Sequence, residues 1–576
     1  MQYFLNKNSN NNYENLEVLT ENILNTYGIK DANKYLNPTK DCEYSYKLLG
    51  NIDKAVKCLL KHIKNGDVIY SPTDSDTDGN CANSMLINYL RTSFDKINIK
   101  WDIHIGKQHG LTNDLNIPDN TKLIIVTDGG SSDYQQHKYW YDKGVDIIIL
   151  DHHECEIESK YAIVVNNQLY DYPNKSLCGA GVVYKFLQAL DDELWQSKAD
   201  NYLDLVALAE IGDSMNITNL ETKYYIQKGL SQIKNKQLKA LLSKQEYSTK
   251  GVVNINNIAF YITPLINAMI RVGKQDEKEL MMKGFLEEFE EFDYKPRGNK
   301  PIEKEDIYTR VARLSSNAKS RQNKLRDKAL QELEEIIHKK NKLNDKVMVI
   351  NCENKYNLNL TGVIAIKLAD KFNRPCILLN KSKDGTYRGS ARNTDRNPIK
   401  DLKQIVNSTK IIEGIGHAQA HGVNIIGSVP KAIQKLNNIL KDIEFKDNVY
   451  EVIFDIPFEN LEDEFINQID LLKNIWGRGL EEPLIAIKNI EVKANEIEVI
   501  GKKTNTLKFV IDGVEFVKFN IDDKDVLVKE TSNWEDNCNK CFTINVIGNC
   551  SINNFNGSQK PQIKIKDYEI KNIKAE

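Results

Sequence analysis

DVIYSPTDSDTDG, residues 67–79, sets a short apolar run directly before Asp74, Asp76, Asp78 and Gly79. Such a run is long enough for a buried strand and too short for a helix. Three later runs share its build: KLIIV (122–126), VDIIIL (145–150) and AIVV (162–165). The amphipathic stretches between them complete the rhythm of a parallel α/β sheet. Two of these runs also end on chemically active residues. Residues 122–126 lead into Thr127-Asp128-Gly129-Gly130, and 145–150 into Asp151-His152-His153-Glu154. Ligands of an open parallel sheet bind at the carboxyl ends of its strands, so three strands deliver acids and imidazoles to one edge.

A lone Asp-x-Asp or a lone His-His pair is common in solvated turns; acids placed directly after three separate buried strands are not. A fourth element joins them, because the apolar stretch within LDLVALAEIGDSMNI leads to Asp213. Carboxylates gathered without matching Lys or Arg repel one another unless cations are bound. An oxygen-rich ligand set with some imidazole suits Mn²⁺ or Mg²⁺, and two such ions bridged by a carboxylate are suited to hydrolysis at phosphorus.

Outward from this core, residues 304–340 contain neither Gly nor Pro and repeat apolar residues at helical spacing, which predicts one long helix joining two domains. A second α/β pattern follows: VMVIN (347–351), GVIAIKLADKF (362–372) and CILLN (376–380). Beyond about residue 446, short alternating segments with turn signals predict a small antiparallel barrel. The expected division is a catalytic domain over 1–250, a connecting helical region over 251–345, an α/β domain over 346–445, a linker over 446–480 and a barrel over 481–576. The Asn-rich opening reads as a flexible lead-in.

The chain has 576 residues, 41% hydrophobic and 28% charged, which is a globular composition that needs several domains. No apolar run approaches the roughly 18 residues that span a bilayer, and the opening lacks a signal-peptide pattern, so a cytoplasmic protein with no membrane partner is expected. Net charge is −3, so a polyanion would have to meet a local basic surface. The ten cysteines read as reduced thiols. Cys538, Cys541 and Cys550 lack the fourth ligand of a structural zinc.

The acidic and His motifs resemble those of the DHH phosphoesterase family. That resemblance implies metal ligation by Asp74, Asp76, Asp128, His152 and Asp213, with Asp128 and Asp213 as bridging candidates. His153 would contact the scissile phosphate or assist catalysis, and Asp78 and Asp151 would serve the same centre, acting on it directly or by fixing the loop and the imidazoles. Further likeness points to the RecJ branch. Gly179 to Phe186 is similar to its helix start after the catalytic loop. Pro264 to Arg271 is similar to P-R-I-N-A-x-G-R, with Leu265 and Ile270 departing from it. Gly389-Ser390-Ala391-Arg392 resembles G-S-G-R, and Gly414 to Gly422 resembles G-G-H-A-x-A-x-G.

The likeness implies substrate contacts at Lys107, Arg271, Arg388, Ser390, Arg392 and His417, with Lys107 and His109 where the family holds the 5′ end, and an oligonucleotide-binding barrel from about 480. Phe519 and Phe555 are candidate base-stacking residues there, although for each the core is the favoured place. The basic run Lys319 to Arg326 either borders a DNA channel or, as the charge pattern favours, is a solvated face. The implied activity is a Mn²⁺- or Mg²⁺-dependent 5′→3′ exonuclease of single-stranded DNA in recombination and repair, served by a helicase or a single-strand-binding protein. Two other functions compete with it: a phosphodiesterase acting on short oligonucleotides or cyclic dinucleotides, and a binding scaffold with a dead site.

Overall fold

Pro38–Ile443 forms one unit, and the two ends of the chain, Met1–Asn37 and Glu444–Glu576, form the other. The computed structural model describes residues 1–104, 108–112, 115–394, 396–445, 448–501, 505–521, 525–531, 540–555 and 558–575. In the unit made from the ends, β1 (Gln2–Leu5) pairs in parallel with 449–452. The Asn-rich opening is therefore not a loose lead-in. Ser9 Oγ donates to Ile453 O, and the Asn11 side chain accepts from the Asp455 N–H at 3.0 Å.

In the larger unit the four apolar runs become β2 (Val68–Thr73), β4 (Thr121–Thr127), β5 (Asp146–Asp151) and β6 (Ile163–Asn166). A strand not anticipated, β3 (Ile99–Ile103), completes an all-parallel sheet in the order β3-β2-β4-β5-β6. All six residues of β2 are buried, as a strand covered on both faces requires. The chain passes from β2 outward to β3 and then back to β4, so the topological switch point lies between the ends of β2 and β4, the place where such sheets bind ligands.

A small hairpin, β7 (Glu291–Tyr294) and β8 (Glu303–Asp306), precedes the long helix Ile307–Lys339. Asp306 caps that helix by accepting from the Thr309 N–H at 2.7 Å. At 33 residues it is about 50 Å long. The second sheet contains β9 (Met348–Asn351), β10 (Cys376–Lys381), β11 (Tyr387–Arg392), β12 (Ile412–His417) and β13 (Ala420–Ile425), in the order β12-β13-β11-β10-β9. Only β9 and β10 pair in parallel.

The C-terminal region corrects the barrel expectation. Besides β14 (Val449–Val452), it contains β15 (Phe454–Pro457), β16 (Ile485–Lys493), β17 (Glu498–Ile500), β18 (Asn505–Ile511), β19 (Val514–Ile521), β20 (Lys540–Phe555) and β21 (Ser558–Ala575). Seven of these form one sheet, β15-β16-β20-β21-β19-β18-β17, which has two ends and is not closed among the described residues. It is also mixed, because β15 with β16 and β19 with β21 run parallel. Its core includes Phe509 stacked on Phe516 at 5.0 Å. Phe519 is 54% exposed and so lies outside that core, against the favoured expectation. Cys538 and the Phe555 side chain lie outside the described residues. No described helix is long and apolar enough to cross a membrane.

Candidate metal and phosphate site

The DSDTDG turn is built by its own acids. Asp76 caps the helix Thr77–Ser93, its Oδ1 accepting from the Gly79 N–H at 3.0 Å. Asp78, inside the first turn, accepts from the Gly179 and Ala180 N–H groups at 2.7 and 2.8 Å. It thereby ties this helix to the start of the helix Gly179–Leu194. Asp74 is 2% exposed, and its Oδ2 meets His109 Nδ1 at 2.7 Å. A Cβ at Gly79 would lie 2.5 Å from Asp74 Cβ, so the turn closes only around glycine.

Asp128 follows β4 with φ +60°, a left-handed conformation that a non-glycine residue keeps only when its surroundings enforce it. It is buried, and neither carboxylate oxygen has a hydrogen-bond donor; Asp213 Oδ2 is equally unsatisfied. His152 Nε2 stands between them, 3.2 Å from Asp128 Oδ1 and 3.6 Å from Asp213 Oδ2, with Asp78 Oδ2 at 3.8 Å. Donor atoms of Asp128, His152 and His153, and of Asp78, His152 and Asp213, gather within 4.8 Å of one another. Asp74 and Asp76 belong to neither group, although Asp74 Oδ2 reaches the Asp128–Gly129 turn, where a Cβ at Gly129 would lie 3.3 Å from it. Gly179 is required on the far side, because its Cβ would sit 2.5 Å from Asp128 Oδ1.

Asp151 acts through its neighbours. It accepts from the N–H groups of Ser131, His152 and His153 at 3.0, 2.7 and 3.0 Å, and meets His153 Nδ1 at 2.8 Å. Burial would raise its carboxyl, but the two imidazoles hold it below the usual range. For His153, burial would favour the neutral ring; Asp151 outweighs it and the imidazole is pushed up to about 10. His152 goes the other way, down to about 3, because of burial and then His153. It is thus a neutral ring with a free ligand nitrogen. Burial, the largest cause, raises Asp74, lifts Asp128 and Asp213 well above the ordinary carboxylate value and brings Asp78 to about 6. Buried, donor-poor carboxylates around a neutral imidazole are the electrostatics of a cation site.

A cationic group stands in the same unit. Arg392 ends β11, with Nη1 donating to the carbonyls of Ala391 and His421 at 2.7 and 3.3 Å. Burial and Arg271 push its guanidinium down to about 10. Burial lowers Arg271 too, with Asp76 pulling it back. Lys319, half-buried on the basic run, is held low by burial, then Arg326, Arg271 and Lys367. Within that run, Arg321 pairs with Glu277 and Arg326 with Asp327. A Cβ at Gly362 would lie 2.6 Å from Arg392 Nη2. Ser390 is buried with its hydroxyl 2.9 Å from Thr361 Oγ1. Arg388 is exposed and paired with Asp384 at 2.9 Å. His417 is exposed at its residue surface, and burial of its ring and then His153 hold it below its ordinary range. Lys107 lies outside the described residues.

Sequence reasoning missed two contributors, Asp133 and Glu210, and mistook the place of a third. His109 reads from the sequence as a neighbour of Lys107 at the 5′ end, but nothing local marks it as the partner of Asp74. Asp133 accepts from the Leu111 N–H at 2.7 Å, and burial raises it to about 6. Glu210 is fully buried and lies 3.3 Å from the Cys178 N–H. An acid deep inside the apolar run LVALAEIG, away from its ends, was the signal available for Glu210.

Comparison with known proteins agrees with this geometry. A family model described as the DHH family, N-terminal domain, matches residues 68–209, and the RecJ OB domain matches 454–567. The chain belongs to the DHH family, in its RecJ-like branch. One relative is a prophage-derived protein of Bacillus subtilis (strain 168) that carries the name single-strand DNA-specific exonuclease YorK. It is 39% identical over 99% of this chain and 98% of its own length. The single-stranded-DNA-specific exonuclease RecJ of the same organism is 24% identical over 92% of this chain and 65% of its own. The crystal structure of RecJ from Thermus thermophilus in complex with Mn²⁺ shares the fold at a TM-score of 0.72 and 18% identity, covering 95% of this chain and 75% of that one.

Proposed function

We propose that the chain is a metal-dependent exonuclease that degrades single-stranded DNA 5′→3′ by two-metal-ion phosphodiester hydrolysis, in DNA recombination and repair. The observation that carries the reading is the buried cluster of Asp128, His152 and Asp213, with three carboxylate oxygens that have no donor, at the sheet's ligand-binding edge. A relative matched over nearly its whole length carries the name of a single-strand DNA-specific exonuclease, which supports the substrate and the reaction class.

Asp74, Asp76, Asp128, His152 and Asp213 would hold two Mn²⁺ or Mg²⁺ ions, which supply an activated water and offset charge at phosphorus when bound. The chain's own residues do the rest. Asp151 locks both imidazoles, and His153, protonated and 45% exposed at its side chain, donates to an oxygen of the scissile phosphate. Arg271, Arg392 and Ser390 hold a strand phosphate, with His417 beside them. Arg388 joins them by leaving Asp384, and family likeness alone gives Lys107 the 5′ end. Phe519 offers a stacking face for a base. A helicase or a single-strand-binding protein would supply the strand.

The test is digestion of 5′- and 3′-labelled single strands and blunt duplex with Mn²⁺, Mg²⁺ or chelator, over a series of lengths. Release of the 5′ label first, from single strands only and only with metal, is the expected result. Internal cuts, equal attack on duplex, or activity confined to the shortest oligonucleotides would overturn it.

A further inference from the structure

A second set of metal-ligating side chains lies at the other end of the catalytic sheet. Asp146 opens β5, about 16 Å of strand before Asp151 closes it. Cys58 and His62 are four residues apart on the helix Ile52–Asn65, so one face presents both. His62 Nε2 lies 2.9 Å from Asp146 Oδ2, and Cys58 Sγ lies 3.9 Å from the same oxygen. One ligand atom from each of the three falls within 4.8 Å of the others. Bonds of about 2.3 Å to sulfur and about 2.0 Å to nitrogen or oxygen place tetrahedral ligands roughly 3.3–3.5 Å apart, so small side-chain shifts suffice to admit an ion.

The other ring nitrogen of His62 meets Asp67 Oδ2 at 2.8 Å. This is the carboxylate–imidazole pairing that orients a metal-bound histidine. The His62 side chain is 6% exposed and that of Asp146 41%, which leaves a solvent side for entry and for a fourth ligand. Lys61 Nζ, 2.7 Å from Asp146 Oδ2, is the competing cation, on a side chain exposed enough to swing away.

We propose that Cys58, His62 and Asp146 bind a thiophilic divalent ion of the zinc class, at a site separate from the catalytic edge. A thiolate discriminates against Mn²⁺ and Mg²⁺, and the oxygen-rich edge accepts them, so the two ends of one sheet sort metals by ligand softness.

The experiment adds Co²⁺ to the full chain and reads thiolate-to-cobalt charge-transfer absorption, a band that the oxygen and nitrogen ligands at the catalytic edge do not give. One equivalent should produce the band, Zn²⁺ should displace it, and excess Mn²⁺ should not. Cys58→Ser should abolish it, and Asp128→Ala should retain it. Asp67→Asn, which removes no ligand, should weaken Co²⁺ binding about 10- to 100-fold, with circular dichroism and Mn²⁺-dependent cleavage unchanged. Absence of the band in the wild type, its persistence in Cys58→Ser, or unaltered affinity in Asp67→Asn would show that the cluster is only an ion-pair network.

Discussion

The catalytic edge and the Arg271–Arg392 surface are built on the same principle with opposite sign. At the edge, carboxylates are buried together until their proton affinity rises; around Arg392 and Lys319, burial first and neighbouring cations second lower that of the guanidinium and ammonium groups. They differ in rigidity. The edge is tied by backbone N–H groups into Asp78 and Asp151, whereas Arg392 is held by two carbonyls and Arg388 by one exposed ion pair. Under the proposed function this difference is expected: fixing ions for chemistry needs tight geometry, and gripping a moving polyanion does not.

The strongest way to break this contrast is Asp128→Asn. Hydrolysis should fall below detection while circular dichroism stays native. The metal-free variant should unfold with a stability about 1–3 kcal/mol higher than wild type, because a buried acceptor without a donor has been relieved. A destabilised variant would make Asp128 a structural residue. His153→Ala comes next, with turnover lowered about 10²- to 10³-fold and Mn²⁺ affinity kept; calorimetry showing lost metal binding would move His153 into the ligand set.

Arg392→Ala tests the cationic partner. Loss of roughly 1.5–3 kcal/mol should weaken single-strand binding about 10- to 150-fold, with turnover at saturation less affected. The slope of log affinity against log salt should become shallower by about one unit at most. Unchanged affinity and slope would reduce the glycine-rich turn to packing.

The smallest effect is in pH. Asp78 titrates near 6 folded against an ordinary 3.8, and Asp74, Asp128 and Asp213 are also raised; His152, lowered, opposes them. Acids with raised folded values contribute stability that is complete below about 3.8 and lost as pH rises through about 6. Metal-free protein should therefore weaken over that interval. Cations require the ionised groups, so the gap in Tm between Mn²⁺-saturated and metal-free protein should widen with pH. A gap that stays constant would remove these acids from the metal site.

The acidic edge of the sheet was legible because strand and turn are contiguous there: the helix Gly179–Leu194 starts where the glycines predict, β2 and β4 end one residue before Asp74 and Asp128, and β5 ends on Asp151. What escaped depends on partners distant in sequence. β3 has an exposed Lys100 and reveals itself only by pairing with β2. Alternation in the C-terminal segments shows strands but not which neighbours they take, so an open, partly parallel sheet reads as an antiparallel barrel. His109 and Asp133 matter through a carboxylate and a backbone N–H more than twenty residues away, which no local pattern encodes.

The pairing of β1 with β14 makes folding a matter of waiting. Strand Gln2–Leu5 has its partner at Val449–Val452, roughly 450 residues later. At about 5–20 residues per second, a ribosome takes on the order of 20–90 s to supply it. Throughout that interval the whole of Pro38–Ile443 is synthesised, while an edge of unpaired N–H and C=O groups is exposed to any strand that arrives first. The Asn-rich tract behind β1 is poor in apolar residues, which gives an early, wrong partner little to hold.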